Sequence, residues 1–107
     1  MASARRKVAA PGLVLQVAER QEQNDAADKR VAPAPRVGYT VTRKVGGAVV
    51  RNRVRRRLKA AAQRVMTQHA RPEFDYVLIG RVATIKRDFV ALVHDLEQTM
   101  KRLNAWR

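Results

Sequence analysis

One stretch of the chain has a charge distribution that limits what the protein can fold around and bind. Between Asp28 and Glu73 lie 44 residues without an acidic side chain, and 13 of them are lysine or arginine. Carboxylates occur on both sides of this stretch, for example Glu19 before it and Asp88 after it. Because a carboxylate would repel a phosphate ligand, such a gap is typical of a surface that contacts a polyanion.

The rest of the composition predicts one folded domain over residues 1–107. The net charge of +14 favours an anionic partner, and an apolar content of 46% is too high for a purely disordered basic tail. With no cysteine and two isolated histidines, a disulfide framework or zinc site is not expected. No apolar run approaches the ~18 residues of a membrane span. We therefore expect a cytoplasmic nucleic-acid-binding protein with no membrane partner.

Three segments have the residue patterns of β-strands: 13–18, 37–42 and 76–82. The first two alternate between apolar and other residues, and the third is nearly continuous in apolar residues, as in a strand covered on both faces. Residues 1–10 are a short basic N-terminus to which we assign no element. Residues 19–36 are polar, contain Pro33 and Pro35, and are predicted to form a flexible loop.

Two segments have helical periodicity, 48–70 and 86–103. The apolar stripe of the first consists of Val50, Val54, Leu58, Ala61 and Val65. Because this helix connects strands 37–42 and 76–82, the three elements are predicted to form a βαβ unit with parallel strands. The predicted fold class is α+β, with a small mixed β-sheet packed with two main helices.

The first half of the long helix contains a dense basic cluster, in which six of the nine positions from Arg51 to Lys59 are arginine or lysine. Like charges at helical spacing destabilise an isolated helix, a cost that is offset when phosphates bridge them. The guanidinium fork binds pairs of phosphate oxygens, which explains the preference for arginine. A solvated basic face is the alternative interpretation, and the density of the cluster argues against it. Asn52 is a poor helix former, so we expect its amide to have a specific partner.

Residues 36–59 read RVGYTVTRKVGGAVVRNRVRRRLK and resemble the signature of the protein subunit of bacterial ribonuclease P. A looser resemblance extends from about Leu13 to Leu103. It implies an RNA-binding component that assists a catalytic RNA subunit in removing the 5′ leader from precursor tRNA, by binding the leader and broadening substrate specificity. The RNA is then expected to hold the active site and most of the magnesium, which leaves this endoribonuclease subunit without catalytic or metal-binding residues. The resemblance also implies a left-handed crossover in the βαβ unit.

The same resemblance assigns roles to individual residues. The implied RNA contacts are Arg43 and Lys44 before the turn and, on the helix, Arg51, Asn52, Arg53, Arg55, Arg56 and Lys59. Val14 and Gln16 are implied to face a cleft that binds the leader. Relatives usually have a basic helix with aromatic residues on one side of this cleft, whereas no aromatic residue precedes Pro11 here. Either the true start lies upstream of Met1, or one wall of the cleft is missing.

Two other classes of function share some of these features. A ribosomal or histone-like architectural nucleic-acid-binding protein, with no role in cleavage, has a similar charge but does not need the Arg-Asn-Arg helix after a Gly-Gly turn. An enzyme acting alone on nucleic acid needs an acidic metal-binding cluster, which the basic half of the chain excludes. Cleavage of the leader with and without the RNA subunit distinguishes the three classes.

Overall fold

The computed structural model describes residues 5–19 and 36–107. In these ranges the strands are β1 (Arg5–Ala9), β2 (Leu13–Glu19), β3 (Arg36–Thr40) and β4 (Phe74–Gly80), and the helices are α1 (Ala48–His69) and α2 (Phe89–Arg102). A short 3₁₀ turn, Val82–Thr84, follows β4. Apart from its end residues, the predicted loop over 19–36 lies outside the described residues. Within the described ranges, neither helix has the length and apolar character needed to cross a membrane.

The four strands form one mixed sheet in the order β1-β2-β4-β3. β2 pairs antiparallel with β1 and with β4, while β3 pairs parallel with β4. The parallel pair joined by α1 confirms the predicted βαβ unit, and the α+β class with two main helices is confirmed as well. The left-handed sense of the crossover stays a prediction.

The core lies between one face of the sheet and the two helices. On β2, Leu13, Leu15 and Val17 point into it, and on β4 every second residue from Phe74 does the same. The remaining core residues come mainly from the two helices, which contribute Val54, Leu58, Ala61, Ala62, Val65, Met66, Leu92, Leu96 and Met100. The opposite face is half-buried on β2 and β4 and exposed on β1 and β3, and it contributes no residue to this core. The sheet is therefore covered by described helices on one side only.

Two glycines set the position of α1. Gly46 has a φ of +157°, and a Cβ at this position would lie 2.9 Å from Val50. Val50 was predicted to face the core as part of the apolar stripe, which is wrong: it is 36% exposed, and its side chain lies next to Gly46. One turn later, a Cβ on Gly80 would lie 2.5 Å from the Val54 side chain. The helix thus approaches β4 closely where glycine leaves space.

The element boundaries differ from the sequence predictions in ways that have local causes. Strand β4 begins at Phe74, two residues earlier than predicted, because Phe74 pairs with Glu19. Helix α2 begins at Phe89 rather than at residue 86, because the Asp88 carboxylate accepts a hydrogen bond from the Ala91 N–H (3.3 Å) and caps the helix. No strand was assigned to residues 1–10, yet β1 pairs along the outer edge of β2.

A buried polar network fixes the connection between β4 and α2. The Asp95 carboxylate, 5% exposed, accepts two hydrogen bonds from the Arg87 guanidinium at 3.0 and 3.1 Å. It also accepts one from the Gly12 N–H at 3.0 Å, while the Gly12 carbonyl accepts from the Thr84 hydroxyl at 2.6 Å. The network ties the turn between β1 and β2 to the 3₁₀ turn and to α2.

Candidate RNA interface

The first half of α1 presents the predicted RNA-contacting side chains on its outward side. We call this set, Arg51, Asn52, Arg53, Arg55, Arg56 and Lys59, the helix surface. Val54 and Leu58 are fully buried, so the side chains between them point away from the sheet. Asn52, Arg53, Arg56 and Lys59 are exposed, and Arg51 and Arg55 are half-buried. Among the described residues, no cation of the helix surface forms an ion pair with a carboxylate.

Contacts within the helix surface order two of its side chains. The Asn52 amide oxygen accepts a hydrogen bond from the Arg55 guanidinium at 3.2 Å, which identifies the specific partner that the sequence predicted for Asn52. The Nε of Arg51 is buried and has no hydrogen-bond partner among the described residues. A buried donor without a partner costs free energy, so Arg51 has a reason to bind an acceptor supplied from outside the chain.

Arg57 lies in the same basic run and has a different role. Its Nε donates to the Thr84 carbonyl at 2.9 Å, and a terminal nitrogen donates to the Arg87 carbonyl. Arg57 therefore fastens α1 to the segment before α2. The sequence places Arg57 in the basic cluster, and the family resemblance implied no RNA contact for it; its role in holding the fold is visible only in the structure.

Arg43 and Lys44 are exposed in the turn just before α1. The turn is closed by hydrogen bonds from the Val45 N–H to the Thr42 carbonyl (3.1 Å) and from the Gly46 N–H to the Arg43 carbonyl (3.2 Å). The turn thus positions two further cations at the N-terminal end of the helix surface.

At the other end of the helix surface, Lys59 connects to the sheet. Its ammonium nitrogen lies 5.8 Å from the centre of the Tyr39 ring, within cation–π range. Tyr39 is half-buried and packs against the core, and burial raises its pKa. The phenol therefore stays neutral at physiological pH and adds no negative charge beside the helix surface.

Val14 and Gln16 lie on the face of the sheet opposite the core, and both are half-buried. The strand register places Ile79 beside Val14, and Val77 beside Gln16. We call this the sheet face; its residues are Val14, Gln16, Ala18, Gly38, Thr40, Val77 and Ile79. At one edge the register adds the exposed cations Arg5 and Lys7, and at the other Arg36 contacts Asp75 at 3.3 Å. The sheet face is thus a shallow apolar strip with basic edges.

The described residues do not contain a cluster of three His, Asp or Glu side chains able to hold a metal ion. The buried carboxylate of Asp95 is occupied by Arg87 and Gly12. The site therefore consists of a row of cations beside an apolar strip. A small mixed sheet, with described helices on one face only and an arginine-rich helix beside it, defines a small RNA-binding protein of the α+β class.

Comparisons with known proteins identify the family. The Ribonuclease P family profile matches residues 1–104. The chain is 46% identical over 105 residues to the ribonuclease P protein component of Paramagnetospirillum magneticum, covering 98% of this chain and 75% of that protein. It is 47% identical over 102 residues to the component of Gluconacetobacter diazotrophicus, covering 95% and 80%. The structure of the Staphylococcus aureus RNase P protein superposes with a TM-score of 0.71 at 20% identity, covering 96% of this chain and 84% of that one, a likeness of fold.

The chain therefore belongs to the ribonuclease P protein family, whose members are the protein components of a ribonucleoprotein endonuclease that processes tRNA. This confirms the family resemblance and the function that it implied, with the chain as a subunit of the enzyme and the RNA of ribonuclease P as its partner. Nothing in the comparisons supports an architectural ribosomal or histone-like role.

Proposed function

We propose that the helix surface, together with Arg43 and Lys44, binds the catalytic RNA of ribonuclease P, and that the sheet face binds the 5′ leader of precursor tRNA through Val14 and Gln16. The cleavage chemistry then resides in the RNA, with the protein binding and orienting the substrate. We further propose that the 107 residues act as one domain in the cytoplasm.

The observation that carries this proposal is that, within residues 5–19 and 36–107, no carboxylate pairs with a cation of the helix surface. A protein that used these arginines for its own stability would pair them, as it pairs Arg87 with Asp95. From Arg51 to Lys59 the helix rises about 12 Å, at about 1.5 Å per residue, so its cations can span several phosphates of an RNA backbone. Placing them on a rigid helix fixes that spacing before RNA binds.

The sheet face suits a single-stranded leader for a different reason. The apolar residues of the sheet face are half-buried and together form a shallow surface on which unstacked bases can pack. The cations at its edge attract the phosphate backbone of the RNA. No aromatic residue belongs to the sheet face, so base stacking on a ring is not available there. We expect contacts that depend little on base identity, which fits leaders of varied sequence.

Ribonuclease P needs a divalent metal ion, and we propose magnesium held mainly by the RNA. The described residues do not fit a magnesium site of their own, because they lack a cluster of carboxylates. The helix surface is cationic and would repel such an ion. The contribution of the protein is thus to bring RNA and substrate together.

The decisive experiment measures leader removal from a precursor tRNA at low magnesium concentration, with the protein alone, the cognate RNA alone and both together. We expect cleavage only with both. Val14→Glu should then weaken binding of the leader-bearing precursor about tenfold relative to mature tRNA, because it places a carboxylate beneath the leader.

The matched control is Val82→Glu, which adds the same charge at a valine that is 68% exposed on the 3₁₀ turn, outside the sheet face. It should leave the preference for the leader unchanged. Cleavage by the RNA-free protein would contradict the proposal that the RNA carries the active site. If both variants reduced the preference for the leader-bearing precursor equally, the leader would not bind at the sheet face.

A further inference from the structure

A hollow of about 440 Å³ lies on the flank of α1 that faces the start of α2. It is lined by Arg53, Arg56, Arg57, Ala60, Ile85 and Phe89. Ala60, Ile85 and Phe89 form an apolar floor, in which the Phe89 ring is half-buried and so keeps part of its surface open. Arg53 and Arg56 are exposed at the rim. We call this the arginine hollow.

The walls of the arginine hollow are fixed by the contacts of Arg57. Its hydrogen bonds to the Thr84 and Arg87 carbonyls join α1 to the segment that carries Ile85 and Phe89. That segment is in turn held by the Arg87–Asp95 ion pair. The hollow is therefore present before any ligand arrives, which lowers the entropic cost of binding.

The charge in the arginine hollow selects an anionic ligand. All three charged side chains that line it are arginines, and the acceptors of Arg57 are carbonyls, which leave its positive charge uncompensated. No carboxylate of the described ranges lines the hollow. Of those on α2 and its cap, Asp88 accepts from Ala91, Asp95 is held by Arg87, and Glu97 lies about two turns beyond Phe89. A ligand that fits has an anionic group for the rim and a flat apolar group for the floor.

We propose that the arginine hollow binds one unpaired nucleotide of the catalytic RNA, with its phosphate between Arg53 and Arg56 and its base against Phe89. This rests on the proposed function of the helix surface, with which the hollow is continuous because Arg53 and Arg56 belong to both. Bases within an A-form duplex are not accessible to such a hollow, whereas an unstacked base in a loop or bulge is. The arginine hollow would thus recognise an unpaired nucleotide at a particular place in the RNA, in addition to the negative charge of the RNA backbone.

The first test compares Phe89→Leu with Phe89→Tyr in binding to the full-length cognate RNA transcript. Leucine keeps apolar packing but removes the aromatic face, so affinity should fall about tenfold with an unchanged salt dependence. Tyrosine keeps the face and should retain affinity. Val90→Ala is the matched control, since Val90 is the next residue and is 73% exposed. Thermal unfolding of each variant separates loss of fold from loss of contact.

The second test replaces Phe89 by the photoreactive p-benzoylphenylalanine and maps the crosslinked nucleotide in the assembled holoenzyme. A crosslink to one unpaired nucleotide supports the proposal, and an abasic substitution there should weaken binding no further when combined with Phe89→Leu. No RNA crosslink, a crosslink confined to duplex segments, or full affinity of Phe89→Leu overturns the proposal.

The outcomes also separate this inference from the proposed function. If Arg51→Ala and Arg55→Ala weaken RNA binding while Phe89→Leu does not, the helix surface stands and the arginine hollow fails. If none of the three weakens binding, the proposed function fails as well.

Discussion

The two ends of α1 carry similar cationic side chains with different partners. In the first half, the arginines and the lysine of the helix surface have no carboxylate partner among the described residues. Beyond the last turn, Arg71 donates to Glu73 at 2.7 Å and to the Asn104 carbonyl at 3.2 Å. The difference indicates that exposure alone does not mark a functional arginine: Arg71 is paired within the protein and supports the fold, whereas the charges of the helix surface lack a carboxylate partner among the described residues and are open to a ligand.

The C-terminal end of α1 is held by residues 103–107, which we call the C-terminal clasp. Trp106 stacks on His69 with ring centres 3.8 Å apart and planes 10° apart. The Nδ1 of His69 donates to the Arg107 carbonyl at 2.9 Å, and the Arg107 N–H donates back to the His69 carbonyl at 2.9 Å. The Tyr76 hydroxyl donates to the Ala105 carbonyl at 2.7 Å. The C-terminal clasp thus supplies a hydrogen-bond donor to the His69 carbonyl, which would otherwise have no partner within the helix.

The largest effect should come from the triple variant Arg51→Ala, Arg53→Ala and Arg55→Ala. We expect affinity for the catalytic RNA to fall about a thousandfold, or about 4 kcal/mol, since charge-assisted hydrogen bonds contribute about 1.5–3 kcal/mol each and are not fully additive. The slope of log affinity against log salt should flatten from about −4 to −5, for six phosphates, to about −2 to −3. Titrations at several salt concentrations measure both.

Arg71→Ala is the control from the opposite end of α1, and its salt slope should match that of the unmodified protein. If the triple variant kept its slope while Arg71→Ala lost it, the assignment of the two ends would be reversed.

The next largest effect is expected from Asp95→Ala, which turns Arg87 from a paired into an unpaired arginine. The variant leaves the half-buried Arg87 unpaired and the buried Gly12 N–H without its acceptor, which should cost about 2–3 kcal/mol. Asp88→Ala removes the same charge from an exposed helix cap and should cost about 1 kcal/mol. Chemical denaturation measures the free energy of unfolding of both variants. Equal losses would show that the buried network around Asp95 stabilises the fold no more than an exposed helix cap does.

A smaller effect, dependent on pH, is expected from Tyr76→Phe. Burial raises the pKa of Tyr76, so the folded state favours the neutral phenol. This contribution to the free energy of unfolding is complete below pH 10, the ordinary value, and declines as the pH rises above 10 towards the folded-state pKa. Tyr76→Phe should cost about 1–2 kcal/mol at pH 7, because the Ala105 carbonyl and the Arg71 N–H lose their partner.

The measurement for Tyr76 is the free energy of unfolding between pH 8 and pH 11, compared with that of Tyr76→Phe. Because the lysines titrate in both proteins, the difference between the two free energies of unfolding reports the titration of the Tyr76 phenol alone. A difference that stays constant across this range would argue against a raised pKa in the folded state.

The smallest effect should follow Trp106→Ala, which opens the C-terminal clasp. The loss of a stacked pair is expected to lower the free energy of unfolding by about 1 kcal/mol. Affinity for the catalytic RNA should not change, because Trp106 belongs to the supporting end of α1. Hydrogen exchange of the last turn of α1 should accelerate while that of its first half does not. A loss of RNA affinity would show instead that the clasp is part of the interface.

The sequence alone was sufficient for the features that depend on local periodicity and on charge. Four of the five apolar stripe residues predicted for α1 are buried, and the parallel pairing of β3 with β4 followed from the length of the helix between them. The outward direction of the helix surface was also predictable, because Val54 and Leu58 occupy the side of α1 that faces the sheet; Arg57 is the exception. The strand bearing Val14 and Gln16 was recognised from its alternation; their binding role stays a prediction.

Only the tertiary structure decided the features that depend on contacts between distant residues. β1 has few apolar residues, since an edge strand pairs on one side and buries little, so its pattern gives no strand signal. Val50 continues the apolar spacing yet is 36% exposed, with its side chain next to Gly46. Arg56 and Arg57 are equivalent in sequence, and only the backbone carbonyls of Thr84 and Arg87, about thirty positions away, separate a side chain open to RNA from one that holds the fold. Local sequence determines which way a side chain points, whereas its partners depend on how the rest of the chain packs against it.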